Sequence, residues 1–554
     1  MRIFMEKADV TENGVSSNKL IFYKAAVPQR NVENRGEVCY SIWYVQKIRT
    51  VYFPPPVCCP SDRKKGRWRR KMNLLSLLEH LEYKCLQGST EQEVSSVVYD
   101  SRKVEEGSLF ICIRGAVVDG HKFIPDVVAK GAKTLIVEEA VEAPEEVTVI
   151  QVEDTRYAMA FISAAWFGHP AEKLKTIGIT GTKGKTTTTY MVKSILENAG
   201  YKVGLIGTIE AVIGEKHIPA ANTTPESYMV QKYFHDMVEA GCDAVVMEVS
   251  SQAYKLDRVY GLRFAEGVFT NLSPDHIGPT EHANMEEYIS SKARLFAASA
   301  LSVLNADDAQ CGRMAHSATG DVIGYGIDSA CALRAEDIRE TSVCGNAGMS
   351  FEVGGVRFTV AMPGIFSVYN ALAAIAVLRA EGVGDGVISE TLRRAHVRGR
   401  LESFSDGERR FIIDYAHNGA SLASVLSVLR PHTEGRLIVL FGSIGGRAEL
   451  RRRELAEAAD GVADLCIVTS DNPDFEDPDA IIAEICSYLK VTPSVRIADR
   501  EQAIQYAVRT AERGDTVLLA GKGHEDYQIV CGKKVPFSER AILERELGGV
   551  LVGA

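Results

Sequence analysis

Continuous apolar runs alternate with segments of helical periodicity over the middle of the chain. The runs lie at residues 176–179, 203–206, 244–247 and 267–270, and helical spacing fills the stretches between them. Strands that are apolar on both faces and alternate with helices are typical of a parallel sheet covered on both sides. The pattern predicts a central α/β domain over residues 171–396.

The same alternation returns towards the C-terminus, with apolar runs at 411–413, 437–441, 465–468 and 516–520. It predicts a second, Rossmann-like α/β domain over residues 397–554. Residues 72–170 mix short strands at 108–113 and 134–137 with helical segments, and the leucine spacing predicts a helix from Leu74 to Leu81. We therefore expect an α/β fold of three domains, with a small mixed domain first.

The first seventy-one residues differ from the rest of the chain. They contain three consecutive prolines at 54–56 and a basic run from Arg63 to Lys71, with little amphipathic periodicity. We expect residues 1–71 to be a disordered tail or translated sequence upstream of the native start. The alternative is a basic arm that binds a membrane surface or nucleic acid.

Composition limits the classes of protein to consider. A net charge of −10 argues against general affinity for nucleic acid, and no apolar run approaches the ~20 residues that a membrane-spanning helix needs. The 12 cysteines are scattered, which is typical of reduced thiols. We expect a cytoplasmic, monomeric protein that acts on small molecules, without nucleic-acid partners or membrane insertion.

A glycine-rich loop follows the first run of the central domain. The run 176–179 leads into Thr-Gly-Thr-Lys-Gly-Lys-Thr-Thr at 180–187, and a helical segment then ends at Gly200. Backbone N–H groups of such a loop turn towards phosphate oxygens. The expected ATP-binding residues are Gly181, Thr182, Lys183, Gly184, Lys185, Thr186 and Thr187, with Lys185 on the β- and γ-phosphates and Thr186 at a Mg²⁺ ion. Ile179 stands where the strict nucleotide-binding pattern has its first glycine.

Polar residues end the next two central runs. Glu248 follows the run 244–247, and Asp275 and His276 follow the run 267–270. In open α/β sheets, ligands gather at the carboxyl ends of the strands. We expect Glu248 to coordinate Mg²⁺ through oxygen and His276 to contact metal or phosphate.

The ordered set of motifs resembles the Mur ligase family from about Met72 to the C-terminus. Beside 180–187, it comprises Asn-Thr-Thr-Pro at 222–225, Met-Glu-Val-Ser-Ser at 247–251, Asn-Leu-Ser-Pro-Asp-His at 271–276, Lys292 in Ser-Lys-Ala-Arg-Leu-Phe, Asp-Tyr-Ala-His at 414–417, Asp-Asn-Pro at 471–473 and Gly-Lys-Gly-His-Glu-Asp-Tyr at 521–527. The resemblance implies ATP- and Mg²⁺-dependent addition of the third stem-peptide amino acid to UDP-N-acetylmuramoyl-L-alanyl-D-glutamate, through an acyl-phosphate, in peptidoglycan synthesis.

The resemblance also implies roles for individual residues. Lys185, Glu248, His276 and Lys292 are expected to be catalytic, and Lys292 matches the carbamylated lysine that helps bind a second Mg²⁺. Metal contacts are expected from Thr186, Glu248, His276 and carbamylated Lys292. Adenine and ribose are expected near Asn370, Arg400 and Asp414. The uridine nucleotide is expected near Tyr99 and Ser101, and the muramoyl dipeptide near Thr223, Thr224, Ser250 and Arg258.

The incoming amino acid is expected to meet Arg447, Asp471, Asn472, Pro473, Asp474, Gly521 and Glu525. Members of the family that use meso-diaminopimelate typically carry Arg at the position of Asp474, where its fork clamps a carboxylate. An aspartate would repel that carboxylate and pair with an ammonium, so we favour L-lysine, or a related diamino acid such as ornithine, and meso-diaminopimelate is the alternative. Gly521 and Glu525 match diaminopimelate members. A purely structural alternative is that Asp474 caps the helix that follows near Ala480.

Two other functions compete with the muramyl ligase. A folylpolyglutamate synthetase shares the central ligase design but would lack the uridine region around Tyr99. A non-catalytic binding protein derived from the ligase would be expected to lose Lys185, Glu248, His276 or Lys292, and all four are present.

Overall fold

The computed structural model describes residues 71–115, 118–278, 281–343, 346–446 and 449–548, together with the antiparallel pair β1 (Ile21–Phe22) and β2 (Val45–Gln46). Apart from that pair and Lys71, the extension predicted for residues 1–71 lies outside the described residues. Contacts divide the chain into residues 1–68 and 69–554, and the elements that follow all belong to the second part.

The first region of that part contains a five-stranded sheet in the order β4-β9-β8-β7-β6 and a small pair, β3 with β5. Neighbours from β6 to β9 are parallel, and β4 is antiparallel to β9. The strands are β3 (Met72–Asn73), β4 (Lys84–Gln87), β5 (Glu93–Val94), β6 (Ser96–Val98), β7 (Ser108–Ile111), β8 (Ala132–Val137) and β9 (Thr148–Gln151), and the helices are α1 (Leu74–Leu77), α2 (Ile124–Ala129) and α3 (Thr155–Phe167).

Helix ends in this region follow local sequence. Asp154 begins α3 because its carboxylate accepts hydrogen bonds from two backbone N–H groups, and Gly168 ends it in the left-handed region at φ 73°. The helix predicted from Leu74 to Leu81 is wrong in length, since α1 stops at Leu77. The chain then turns through His80 at φ 67°, which a helix cannot include.

The central region is built on an eleven-stranded sheet in the order β13-β12-β11-β14-β10-β15-β16-β17-β18-β19-β20. Its strands are β10 (Lys175–Thr180), β11 (Val203–Ile206), β12 (Glu210–Ile213), β13 (Lys216–Pro219), β14 (Ala244–Glu248), β15 (Phe264–Phe269), β16 (Ser299–Asn305), β17 (Asp321–Gly326), β18 (Leu333–Val343), β19 (Asn346–Val353) and β20 (Val356–Val360). Its helices are α4 (Lys185–Asn198), α5 (Ser227–Glu239), α6 (Ser251–Lys255), α7 (Met285–Ala297), α8 (Cys311–Ser317), α9 (Ile365–Ala380) and α10 (Asp385–Leu392).

The middle of this sheet is parallel and buried on both faces. Ile177 and Ile179 belong to one hydrophobic core, whereas Val245 and Met247 belong to the core on the opposite face. This two-sided burial explains the continuous apolar runs and confirms the predicted parallel sheet. The antiparallel edges β12–β13 and β19–β20 were missed, because edge strands carry alternating polar residues rather than apolar runs.

The C-terminal region contains a six-stranded sheet in the order β21-β22-β26-β23-β24-β25, parallel except for β21, and a separate hairpin of β27 and β28. The strands are β21 (Glu402–Ser405), β22 (Arg410–Asp414), β23 (Leu437–Phe441), β24 (Leu465–Val468), β25 (Ser494–Arg496), β26 (Thr516–Ala520), β27 (Tyr527–Val530) and β28 (Lys533–Pro536). The helices are α11 (Gly419–Leu429), α12 (Glu449–Ala459), α13 (Pro478–Tyr488), α14 (Arg500–Thr510) and α15 (Glu539–Glu546).

The register of the central sheet gathers the expected site at one edge. Ile179 of β10 pairs with Glu248 of β14, and Thr180 pairs with Phe269 of β15. The glycine loop, Glu248 and the loop after β15 therefore leave the sheet side by side.

Candidate functional site

The glycine loop joins β10 to α4 at this edge. Gly181 has φ 150°, and a Cβ there would lie 1.9 Å from Thr270 Oγ1. Gly184 has φ 84°, and a Cβ there would lie 2.4 Å from Asn370 Oδ1. Both positions require glycine, for backbone conformation and for space. The loop is thereby held against Asn370 of α9 and the end of β15.

Lys185 is the first residue of α4 and folds back over the loop. Its Nζ donates to the carbonyl oxygens of Gly181 at 2.8 Å and Thr182 at 3.0 Å. Burial lowers the pKa of Lys185 to about 8, with Glu248 opposing the shift. The side chain thus lies across the mouth of the loop, where a phosphate group would meet both the ammonium and the loop N–H groups.

Glu248 ends β14 with its side chain fully buried. Its Oε2 accepts from the hydroxyls of Thr186 at 3.0 Å and Thr208 at 2.9 Å, and its Oε1 accepts from the Thr208 N–H at 2.8 Å. Thr208 was not singled out from the sequence. The only local signal for it was its place just after β11, at the same edge of the sheet.

Lys292 of α7 is buried beneath the glycine loop, at 2% exposure. Its Nζ donates to Gly181 O at 2.8 Å and lies 4.6 Å from the centre of the Tyr288 ring. The Tyr288 hydroxyl lies 3.0 Å from Thr182 Oγ1. Burial, reinforced by the charge of Lys185, lowers the pKa of Lys292 well below its usual value.

Asp275 and His276 follow β15 at the outer side of the loop. Lys183 Nζ lies 3.3 Å from Asp275 Oδ2, and the charge of Lys183 lowers the pKa of Asp275 against the opposing effect of burial. His276 is about half exposed, and its Nδ1 lies 3.0 Å from Glu281 Oε1. Within the described residues, no three His, Cys, Asp or Glu side chains surround a common point. Of the residues expected at the metal, Thr186 and Glu248 contact each other, whereas His276 pairs with Glu281 instead.

The start of the C-terminal region closes the other side of the loop. Arg400 Nη2 lies 3.4 Å from Thr186 Oγ1, and its guanidinium lies 4.6 Å from the centre of the Tyr415 ring. The Asp414 carboxylate accepts from the N–H groups of Leu401 and Ala416, both at 2.8 Å. Asp414 therefore shapes the turn that presents Arg400, and burial raises its pKa.

Two histidines that the sequence analysis left unassigned flank Tyr415. The rings of His417 and His524 lie 4.7 and 4.8 Å from the Tyr415 ring, centre to centre. Burial lowers the pKa of His417 to about 4 and that of His524 to about 3, so both are neutral at pH 7. Arg400 therefore lies on an aromatic ring that two neutral histidines flank.

The residues expected at the dipeptide lie directly behind Glu248. Thr224 Oγ1 donates to Glu248 O at 2.8 Å and accepts from the Ser250 N–H at 3.1 Å. Thr223 Oγ1 lies 3.1 Å from Thr208 Oγ1. Arg258 donates to Thr224 O at 3.1 Å. Arg258 also pairs with Glu226 at 2.9 Å, so all four predicted residues belong to one connected network.

Tyr99 and Ser101 lie in the first region, at the end of β6. The Tyr99 ring lies 5.6 Å from the ring of Tyr228, which belongs to α5 of the central region. Burial raises the pKa of Tyr99 to about 12. The backbone oxygen of Ser101 accepts from Lys130 Nζ at 3.1 Å. The uridine region predicted from the sequence thus abuts the central region through an aromatic pair.

The residues expected around the amino acid converge on Lys522, which the sequence analysis did not assign. Its side chain is fully buried, and its Nζ lies 2.7 Å from Glu525 Oε2, 2.8 Å from Asn472 Oδ1 and 3.3 Å from Asp471 Oδ1. Gly521 has φ 111°, and a Cβ there would lie 2.9 Å from Asp471 Oδ2. Arg447 lies outside the described residues.

Asp474 follows Pro473 and forms hydrogen bonds with the hairpin of β27 and β28. Its Oδ1 accepts from the Gly532 N–H at 2.7 Å, and its backbone bonds with Ile529 and Cys531. The alternative that Asp474 caps the following helix is wrong, because the Asp477 carboxylate caps α13.

Three family models match the chain in order. They are described as Mur ligase family, catalytic domain, at residues 93–167, Mur ligase middle domain at 179–378, and Mur ligase, glutamate ligase domain, at 399–523. No described helix is long and apolar enough to cross a membrane.

Curated relatives include two UDP-N-acetylmuramoyl-L-alanyl-D-glutamate–2,6-diaminopimelate ligases. That of Clostridium perfringens is 40% identical over 86% of this chain and 100% of its own length. That of Caldanaerobacter subterraneus is 41% identical over 86% of this chain and 99% of its own. A solved structure with the same activity in its name aligns with a TM-score of 0.62 and 27% identity, over 86% of this chain and 99% of that one.

Proposed function

The chain belongs to the Mur ligase family of ATP-dependent amide-forming enzymes, and we propose that it adds meso-2,6-diaminopimelate to UDP-N-acetylmuramoyl-L-alanyl-D-glutamate. The main support is the similarity to ligases named for that reaction along their full length. This proposal reverses the preference for L-lysine that was based on Asp474. L-lysine is now the alternative substrate. The contacts of Asp474 support the reversal, since one carboxylate oxygen is already engaged by the Gly532 N–H.

The glycine loop supports transfer of a phosphoryl group from ATP to the D-glutamate carboxylate. A bond forms between a carboxylate oxygen and the γ-phosphorus, and the bond from that phosphorus to the leaving oxygen of ADP breaks. Lys185 and the loop N–H groups lie where they would offset charge on the transferred group, and Arg400 approaches from the opposite side, at 3.4 Å from Thr186. Catalysis of this kind is chiefly positioning and electrostatics.

The second step forms the amide. The amine nitrogen attacks the acyl-phosphate carbon, the C–N bond forms, the bond to the phosphate oxygen breaks, and phosphate leaves while the amine loses a proton. The Tyr415 ring, flanked by His417 and His524, lies against the Arg400 guanidinium, and the Tyr415 hydroxyl lies 3.5 Å from Glu525 Oε1.

The donor chemistry at the sheet edge fits Mg²⁺. Thr186 offers a hydroxyl and Glu248 a buried carboxylate, 3.0 Å apart, and Mg²⁺ is commonly held by one or two such oxygens with substrate phosphates completing its shell. When bound, the ion would neutralise charge on the phosphates. His276 stays a candidate for phosphate contact at the outer side of the loop.

The environment of Lys292 supports its proposed carbamylation. A buried, neutral amine is the form that combines with carbon dioxide, releasing one proton and leaving a carbamate with a negative charge. The carbamate would place oxygen ligands for a second Mg²⁺ beneath the loop. Intact mass measured without acid would detect the added carbon dioxide, and its absence in active protein would contradict the assignment.

The first two regions support binding of the nucleotide-linked dipeptide. Arg258 is fixed by Glu226, which also pairs with Arg156 at 2.8 Å, so the guanidinium is held in place before substrate arrives. Tyr99 and Ser101 stay proposed contacts of the uridine end. We place the domain boundaries at 72–170, 171–396 and 397–554 as part of the same proposal.

Phosphate release tests the proposal. The protein with ATP, Mg²⁺ and the UDP-linked dipeptide is offered meso-diaminopimelate, L-lysine or L-ornithine separately. Release that depends on the dipeptide and is fastest with diaminopimelate is expected. Preference for lysine would overturn the amino-acid assignment alone, and release with none of the three would overturn the reaction.

Asp474→Asn separates the two interpretations of this residue. The amide oxygen of Asn can still accept from the Gly532 N–H, whereas the negative charge is lost. If Asp474 serves the hairpin, the order of preference among the three amino acids stays the same. A gain in diaminopimelate use relative to lysine would instead show that its charge selects the substrate.

A further inference from the structure

Lys522 forms the centre of a closed polar cluster beside the proposed amino-acid pocket. Its ammonium has three donors, and three oxygens surround it, on Asp471, Asn472 and Glu525, at 2.7 to 3.3 Å. The side chain has no exposed surface. A buried charge without such partners would be strongly unfavourable, so the cluster is expected to assemble as a unit.

The cluster fixes two side chains that face the pocket. Asn472 Oδ1 accepts from Lys522 Nζ at 2.8 Å and from the Ile529 N–H at 2.9 Å, which leaves its amide in one orientation. Asn472 Nδ2 then lies 3.3 Å from Glu525 Oε2. The Glu525 oxygen that Lys522 holds is therefore also held by Asn472, and the rotamer of the carboxylate is set.

The other Glu525 oxygen stays available to a ligand. Oε1 has one contact among the described residues, with the Tyr415 hydroxyl at 3.5 Å, the limit of a hydrogen bond. Two carboxylates, on Asp471 and Glu525, share one ammonium, so the cluster keeps one excess negative charge. This arrangement suits one further cation, such as an amino group of a diamino acid.

We propose that Lys522 is a positioning residue for the incoming amino acid. Lys522 holds the Glu525 carboxylate so that its Oε1 receives a substrate ammonium. Lys522 also neutralises one of the two negative charges of Asp471 and Glu525, so the pocket takes one ammonium rather than two. The proposal rests on the proposed function and extends it to a residue that does not itself touch the substrate. Loss of Lys522 would leave the Asp471 and Glu525 carboxylates close together without a cation between them, and Glu525 would turn away.

Lys522→Met tests this role, because methionine fills a similar volume without charge. The KM for the amino acid is expected to rise roughly 10- to 100-fold, the range for loss of a hydrogen bond to a charged group, with the KM for ATP and for the UDP-linked dipeptide unchanged. A merely structural role would lower kcat or raise all three KM values together. Lys522→Arg keeps the charge and is expected to recover part of the affinity.

Lys534→Met is the matched control. Lys534 Nζ lies 3.8 Å from the centre of the Tyr527 ring, and Lys522 Nζ lies 5.5 Å from the same ring, but Lys534 belongs to the exposed strand β28. Its removal is expected to leave the KM for the amino acid unchanged. An equal rise in both variants would overturn the proposal, since it would reflect loss of general positive charge.

A double variant covers failure to fold. If Lys522→Met does not fold, adding Glu525→Gln removes one of the two unpaired charges and is expected to restore folding, with weak amino-acid binding. Calorimetric titration of each variant with diaminopimelate or lysine, in the presence of a non-hydrolysable ATP analogue and the dipeptide, measures binding without turnover. Binding by Lys522→Met, or by the double variant, equal to that of the unaltered protein overturns the role of Lys522 alone. Absence of binding by the unaltered protein to either diamino acid overturns the proposed function as well.

Discussion

Thr208→Val removes one hydroxyl donor from the buried Glu248 carboxylate, together with a 3.1 Å contact to Thr223 Oγ1. The Thr208 hydroxyl donates to Glu248 Oε2 at 2.9 Å, while the Thr208 N–H still donates to Oε1 at 2.8 Å after the substitution. Valine has almost the same shape as threonine. The variant therefore measures how far the orientation of Glu248 depends on this contact.

The magnitude follows from the burial of the carboxylate. A hydrogen bond to a charged group contributes about 1.5–3 kcal/mol, and Glu248 has no exposed surface through which water could replace the lost donor. We expect the free energy of unfolding to fall by about that amount. If the same free energy is lost from the transition state of the reaction with ATP, kcat/KM for ATP falls about 10- to 100-fold, since every 1.36 kcal/mol corresponds to a factor of ten.

Thr189→Val is the matched control. Thr189 lies in α4, is fully buried, and its hydroxyl has no hydrogen-bond partner among the described residues. The same substitution there removes a buried, unsatisfied hydroxyl and is expected to be neutral or stabilising. Urea denaturation and ATP-dependent phosphate release compare the two variants. Equal stability and equal kcat/KM in both would refute the dependence of Glu248 on Thr208.

Three further predictions concern the glycine loop and the residues packed around it. The charge of Lys185 is present below its pKa of about 8 and lost above it, so kcat/KM for ATP is expected to fall about tenfold per pH unit above pH 8. Lys185→Arg should abolish that decline. An unchanged pH profile in the variant would contradict the role of Lys185. Lys292→Met is expected to keep its thermal midpoint, because methionine fills a similar volume at this buried position and Gly181 O still accepts from Lys185 Nζ, yet lower phosphate release at least about 100-fold. Gly207→Ala would place a Cβ 2.5 Å from Glu248 Oε1 and should impair ATP turnover, whereas Gly312→Ala, with no atom within 4 Å, should not.

Strands of the two larger regions were predictable because burial on both faces leaves a continuous apolar run. The predicted runs at 203–206, 437–441, 465–468 and 516–520 coincide with β11, β23, β24 and β26. The antiparallel edge strands were not predictable in the same way. In the edge strand β20, the buried Phe358 and Val360 alternate with less buried residues, and nothing in such a pattern says which sheet the strand joins.

The candidate site divides along a similar line. Lys185, Glu248 and Asp275 could be placed at one sheet edge from the sequence, because the carboxyl ends of parallel strands meet there. Thr208 and Lys522 could not. Thr208 contacts Glu248 from another loop, and Lys522 links Glu525 of its own loop to Asp471 and Asn472 of another. A hydrogen bond between remote loops leaves no local pattern.

The sequence by itself determined the fold class, the glycine loop and the set of groups at the sheet edge, because hydrophobic periodicity and strand direction are local properties. Only the tertiary structure decided what each polar group does. Asp474 illustrates the difference, since its acidic side chain predicted a substrate ammonium as its partner, whereas in the structure one of its oxygens accepts from the Gly532 N–H of the hairpin of β27 and β28. The packing of separate segments decides whether a charge faces a ligand or the protein itself.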